Sequence, residues 1–169
     1  MREGGMGKGE EHAVHRDSAA PPAPDVAETL VYSDGAWTGS VSEPGHDGYQ
    51  DLVVWQRAMT WVEGVYRLTA SFPDDERFGL TSQLRRAAVS VPSNIAEGWG
   101  RGMKGETLQF LGYARGSLFE AETQIELARR LGRADASAAA PLLHESDRIS
   151  RMLLGLSRAI RSRSRERSR

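Results

Sequence analysis

Cysteine is absent from the 169 residues. That excludes disulfides, thiolate metal ligands and a cysteine nucleophile. No run of about 18 apolar residues occurs either, so no segment is expected to span a bilayer. The first residues, MREGGMGKGEEHAVHRD, lack the apolar stretch of a secretory signal, and a cytoplasmic location is the expectation. Histidine is scarce. His12 and His15 lie three apart in a polar, structure-poor stretch, where two ligands alone do not make a metal site. His144, beside Glu145 and Asp147, is the one histidine in the helical part, and a lone histidine near a helix start reads as surface or packing. In the helical part no glutamate is followed three residues later by histidine, so the inward Glu-x-x-His pairs of di-iron bundles are missing there. No metal, no cofactor and no catalytic constellation are expected.

Charge is nearly balanced overall but uneven along the chain. Residues 1–48 hold three Lys/Arg against nine Asp/Glu, a balance of −6. Residues 49–169 hold nineteen against fourteen, a balance of +5, which together give the −1 of the whole chain. A basic portion raises the expectation of a polyanionic partner. The acidic portion, with its Pro21-Pro22-Ala23-Pro24 cluster and scattered glycine, cannot bury enough apolar area to offset its ordering entropy. Residues 1–48 are therefore expected to be a disordered acidic extension. Within it Leu30, Val31, Tyr32 and Trp37 are the one place for a short strand or an adhesive motif.

Residues 49–160 carry helical periodicity throughout, and the rest of the chain is arranged around LTSQLRRAAVSVPSNIAEGWGR, residues 80–101. Leu80, Leu84, Ala87/Ala88, Val91, Ile95 and Trp99 advance in steps of three and four, which places one stripe on one helix face. Pro92 interrupts this pattern. It removes the bond to the Ala88 carbonyl at about 3 kcal/mol, so the spacing predicts a kink held by neighbouring helices. A first helix is expected over about 51–71, with Asp51 near its N-terminus and a heptad seam of Leu52, Trp55, Met59, Val62, Tyr66 and Thr69. Phe72-Pro73 ends it. A third helix over about 104–131 has the seam Leu111, Ala114, Leu118, Ala121, Ile125 and Ala128, widened by Phe110, Ser117, Gln124 and Leu131. Gly112 and Gly116 in its interior each cost about 1 kcal/mol relative to alanine, which favours either a close helix pair or a subunit contact. A fourth helix over about 138–160 has Leu142, Ile149, Met152/Leu153, Leu156 and Ile160 in its stripe. Residues 161–169 then read as a basic, Arg/Ser-rich disordered tail. Gly100-x-Gly102-x-x-Gly105 matches a dinucleotide fingerprint by letter, but it follows a helix instead of a strand and reads as an interhelical turn. The fold class is all-α: an antiparallel up-down four-helix bundle between an acidic extension and a basic tail.

The string SQLRRAAVSVPSNIAEGWGR is joined by the upstream DLVVWQRAM and VYRLTASFPDDERFGL and by the downstream FLGYARGSLFEAETQIELARRLG. Together, over about 49–160, they resemble the four-helix-bundle proteins known as 23S ribosomal RNA intervening-sequence proteins. The resemblance implies a homo-oligomer, since related bundles assemble as barrel-shaped homopentamers. It also marks Gln83, Ser90, Pro92, Asn94, Glu97 and Gly98 as signature residues of structural weight. The accessory variability determinant of diversity-generating retroelements is similar in architecture. It is a basic bundle that binds nucleic acid and a reverse transcriptase, so RNA, DNA or such a protein are the partners implied.

Two functional readings follow. In the first, Arg85, Arg86, Arg101, Lys104, Arg115, Arg129, Arg130 and Arg133 form a positive belt. Arg158, Arg161, Arg163 and Arg165 extend it, and the bundle is a non-enzymatic nucleic-acid-binding adaptor. In the second, the bundle is a protein–protein scaffold whose arginines keep it soluble. Asn94, Glu97 and Arg101, three and four residues apart, are expected to meet on one face in either case.

Overall fold

A computed structural model of the chain describes residue 1, residues 31–33 and 36–38, and residues 48–166, with side-chain surroundings described in the helical part for 48–162. Four helices make up the body: α1 (Val53–Thr69), α2 (Leu80–Gly100), α3 (Lys104–Arg130) and α4 (Ala136–Glu166). Ahead of them, β1 (Val31–Ser33) and β2 (Ala36–Thr38) pair antiparallel with Tyr32 opposite Trp37. The expected apolar motif is thus a small hairpin; the remainder of the expected disordered extension lies outside the described residues.

The seams of α2 and α3 are buried as their spacing predicts. Leu84, Ala87, Ala88, Val91, Ile95 and Trp99 of α2 meet Leu111, Ala114, Leu118, Ala121, Ile125 and Ala128 of α3 in the core. Ile149, Met152, Leu153, Leu156 and Ile160 of α4 join them, while Leu142 is half-buried at the edge. Leu131, expected to widen the α3 stripe, is exposed. α2 is continuous through Pro92, which is itself buried among these residues. Left-handed Gly102 (φ 68°) and Gly132 (φ 66°) follow the ends of α2 and α3, a backbone conformation that glycine takes without steric penalty.

Two expectations need correction. The α1 seam is Val54, Ala58, Trp61/Val62, Val65 and Leu68/Thr69, whereas Met59 and Tyr66 are 39% and 43% exposed. Reading the seam from the largest side chains favoured Met59 and Tyr66 over the small, fully enclosed Ala58 and Val65. Tyr66 instead lies at the bundle edge with its ring under the Arg85 guanidinium, 4.7 Å from the centroid. Asp51 belongs to a separate 3-10 turn, Tyr49–Asp51, and α1 starts after Leu52 with no side-chain cap. The second correction concerns α4, which does not stop at 160. Its backbone is helical to Glu166, so Arg161, Arg163 and Arg165 belong to a helix and not to a tail.

Helices α1 and α4 run antiparallel, and three contacts fix their register. Arg57 Nε and Nη2 donate to Glu145 Oε1 and Oε2 at 2.7 and 3.2 Å. Trp61 Nε1 donates to the Leu142 carbonyl at 3.0 Å. Gly64 lies against Leu142, whose Cδ2 would be 2.7 Å from a Cβ there. At 1.5 Å per residue on both helices, the residue of α4 level with the start of α1 is roughly 149. α4 therefore reaches about 25 Å past the first turn of α1 along the bundle axis.

Candidate functional site

The signature residues of α2 are placed by helix geometry and by the α2–α3 joint. Ser90 Oγ donates to the Arg86 carbonyl at 2.9 Å, and Asn94 Nδ2 donates to the Ser90 carbonyl at 2.7 Å. Gln83 Oε1 accepts from Arg86 Nη2 at 2.6 Å. Glu97 and Arg101 form the expected pair, Nη2 to Oε1 at 2.6 Å, but the hydrogen bond of Asn94 goes to backbone one turn back. The neighbouring carboxylates, Glu97 before Glu106, raise the Arg101 pKa above its ordinary value. The joint itself is made by Gly98 and Thr107. Thr107 is fully buried, and its hydroxyl donates to the Gly98 carbonyl at 2.8 Å. A Cβ on Gly98 would lie 2.5 Å from the Cβ of Phe110. Thr107, Arg57 and Trp61 are the structural residues that periodicity did not single out. Each acts through a partner on another helix, 88 and 81 residues away for Arg57 and Trp61 and nine for Thr107, which spacing within a helix cannot disclose.

The arginines of the expected belt each have their own partners on the bundle surface. Arg101 is paired with Glu97, with Glu106 within 3.5 Å, and its guanidinium stacks on Phe110 at 4.6 Å. Arg85 donates to Thr69 Oγ1 at 2.8 Å and covers Tyr66. Arg115 donates to Ser150 Oγ at 3.2 Å, tying α3 to α4, and stacks on Phe119. Arg133 lies 3.6 Å from Asp75 and 3.4 Å from Glu76 of the loop after α1. Arg129 grips both oxygens of Glu126 at 2.8 and 2.7 Å, and Arg130 adds a third bond at 2.9 Å. Lys104 opens α3 and is half-buried. Arg86, bonded to Gln83, remains exposed on α2.

The Arg129 and Arg130 hydrogen bonds hold the Glu126 carboxyl down to about 2, below its usual 4.5. Arg129 is raised in return. Because the folded-state value is depressed, the contribution of Glu126 is present above about 4.5 and is lost as pH falls through about 2. A carbon-detected NMR titration should place the Glu126 midpoint near 2, and Arg129→Gln should move it toward the ordinary glutamate range.

The far end of α4 differs from the belt. Arg158 and Arg161 are exposed and form no ion pair with the described residues, whereas Arg151, about two turns before Arg158, pairs with Asp147. The helical backbone carries the sequence on through Arg163 and Arg165. Positive side chains near a helix C-terminus are favoured by its macrodipole, so this overhang tolerates a density of charge that a helix start would not. Among the described residues no group of His, Asp and Glu is placed to hold a metal ion. His144 is exposed on α4. No helix of the described residues is long and apolar enough to cross a membrane. A cavity of about 430 Å³ between α1 and α4 is lined by Trp61, Gly64, Leu142 and Pro141, with Arg57 and Arg67 beside it.

Four helices joined in this way form the bundle, and the family profile of the 23S rRNA-intervening sequence protein matches residues 50–155. The chain belongs to this family. A solved structure similar to this family member is that of a protein of unknown function from the S23 ribosomal protein family of Bacteroides thetaiotaomicron VPI-5482. It is 19% identical with a TM-score of 0.58, and the match covers 62% of this chain and 98% of that one. At that identity the likeness shows a shared fold. No curated protein matches the chain.

Proposed function

We propose that this family member is a non-enzymatic, oligomeric adaptor that binds nucleic acid along the outward face of the end of α4. One observation carries the reading: α4 continues as a helix past the start of α1 and presents Arg158 and Arg161 exposed and without an ion pair among the described residues, with Arg163 and Arg165 following in the same helix. Unpaired guanidiniums displace counterions from phosphates without first breaking an internal ion pair, which is where sequence-independent affinity comes from. Steps of three and four between 158, 161 and 165 repeat along one side of a helix.

The test is binding of a fluorescent 20-nucleotide single-stranded RNA, measured by anisotropy across a salt series. Wild type should weaken as salt rises. Neutralising Arg158, Arg161, Arg163 and Arg165 to glutamine should flatten the salt slope by about 0.7 per phosphate contact removed. Arg129→Gln with Arg130→Gln should change affinity by about twofold or less, because those groups are already spent on Glu126. Affinity that ignores salt, or that falls equally in both variants, would sink the proposal.

Oligomerisation is supported by the outer face of α3. Nothing lies within 4 Å of where a Cβ would stand at Gly112 or Gly116, so neither glycine serves a close helix pair within the chain. Tyr113, Phe119 and Leu127 are exposed on the same helix. A subunit contact remains of the two explanations for glycine there. Gly116→Leu is expected to leave the circular dichroism spectrum unchanged while lowering the sedimenting mass toward that of a single chain. A second reading, a protein scaffold without nucleic acid, draws on the ion pairing of the α2 and α3 arginines. It predicts normal assembly together with no salt-dependent RNA affinity.

A further inference from the structure

The cavity between α1 and α4 exists because of what the sequence places around it. Gly64 contributes no side chain midway along α1, so that wall recedes, and a Cβ there would stand 2.7 Å from Leu142 Cδ2. Trp61 and Leu142 form the floor, fixed by the 3.0 Å hydrogen bond from the indole Nε1 to the Leu142 carbonyl. Pro141, early in α4, adds an apolar edge. At about 430 Å³ the space falls within the roughly 300–1,000 Å³ typical of small-molecule sites.

Charge is answered at one end of this cavity and not at the other. Arg57 and Glu145 bridge the two helices through two hydrogen bonds, so each offsets the other. Arg67 lies ten residues further along α1, roughly 15 Å along its axis. Its Nη2 would be 3.9 Å from a Cβ at Gly64, which brings the guanidinium over the cavity wall. Its contact with Glu63, at 3.7 Å, is longer than a hydrogen bond, and the side chain is 71% exposed. Arg57 and Arg67 against Glu145 leave the lining with a balance of +1. Thr60 donates its one proton to the Gln56 carbonyl, so the Arg67 fork is the strongest donor available to an anion. We propose that this cavity binds a small organic acid, one carboxylate on an apolar body. The carboxylate meets the two-pronged guanidinium of Arg67, and the body lies over Gly64 against Trp61 and Leu142. A neutral molecule would leave that guanidinium without its anion, and a second negative charge would face Glu145. The site lies about 24 Å along α4 from Arg158, and it neither needs nor uses the arginines at that end.

The probe is 4-phenylbutyrate, with 4-phenylbutanol as its neutral counterpart, added to the full chain and followed in proton–nitrogen correlation spectra. Trp61 is the reporter: its indole N–H is one of four in the chain and is assigned by its loss in Trp61→Phe. The acid should move that resonance saturably. The alcohol should bind about tenfold more weakly, the worth of one charge-assisted hydrogen bond. Arg67→Gln, on the exposed side of α1, should bring the acid down to the affinity of the alcohol. Arg151→Gln removes the same charge from an exposed position on α4 and should leave that affinity unchanged. No saturable shift up to the solubility limit of the acid, equal affinity for acid and alcohol, or wild-type affinity in Arg67→Gln would each overturn the proposal. Nucleic acid is absent from the experiment, so its outcome is independent of the α4 reading.

Discussion

Trp61→Ala is expected to lower the unfolding free energy by about 3–5 kcal/mol, a large part of the roughly 5–15 kcal/mol that a domain of this kind has. Trp61 is 2% exposed, and its ring fills the space between α1 and α4 next to Leu142. Truncation removes the apolar contact, enlarges the α1–α4 cavity and deletes the 3.0 Å hydrogen bond to the Leu142 carbonyl. Trp61→Phe separates these effects. It keeps most of the packing and loses the bond, which on its own is worth about 0.5–1.5 kcal/mol. Urea unfolding at one fixed protomer concentration would measure both, since assembly makes apparent stability concentration-dependent. A midpoint for Trp61→Ala within error of wild type would mean that α1 and α4 are not held together as described.

Gly98→Ala is expected to destabilise by about 1–3 kcal/mol, against the usual sign for glycine within a helix. Alanine would ordinarily gain about 1 kcal/mol from helix propensity alone. Here the new Cβ would stand 2.5 Å from the Phe110 Cβ and 3.4 Å from the Thr107 Cα, atoms fixed to the α3 backbone that no rotamer change can move. α3 would have to shift, stretching the buried Thr107 hydroxyl away from the Gly98 carbonyl. Gly105→Ala is the control. Nothing lies within 4 Å of its Cβ position, so it should be neutral or stabilising by up to about 1 kcal/mol. Thermal unfolding of the two variants side by side decides the matter, and equal effects would mean that the α2–α3 joint has room to spare.

The helical layout was legible because α2, α3 and α4 each carry one unambiguous apolar stripe. Leu118, Ile125, Val91 and Ile95 sit where their spacing places them. α1 misled because it offers two candidate seams one residue apart, and the choice rests on Ala58 and Val65, small residues whose burial depends on partners in other helices. The arginine belt was legible as composition but not as a surface. Whether Arg133 faces Asp75 and Glu76, or Arg115 reaches Ser150, depends on segments 35 or more residues away coming together. The α2 signature was visible as a string, yet its reason, a carbonyl at Gly98 awaiting a threonine hydroxyl nine residues later, belongs to the turn that joins two helices.

The end of α4 has a local stability of its own. Past Ile160, the last enclosed residue, the helix has no apolar face to hold it, and neighbouring guanidiniums a turn apart repel one another. Its winding and unwinding is therefore a process distinct from melting of the bundle. On the proposed reading, a polyanion bound at this end would quench the repulsion and favour the wound form of residues 161–166. The same linkage makes a substitution that merely weakens helix propensity in this segment behave like the loss of a contact.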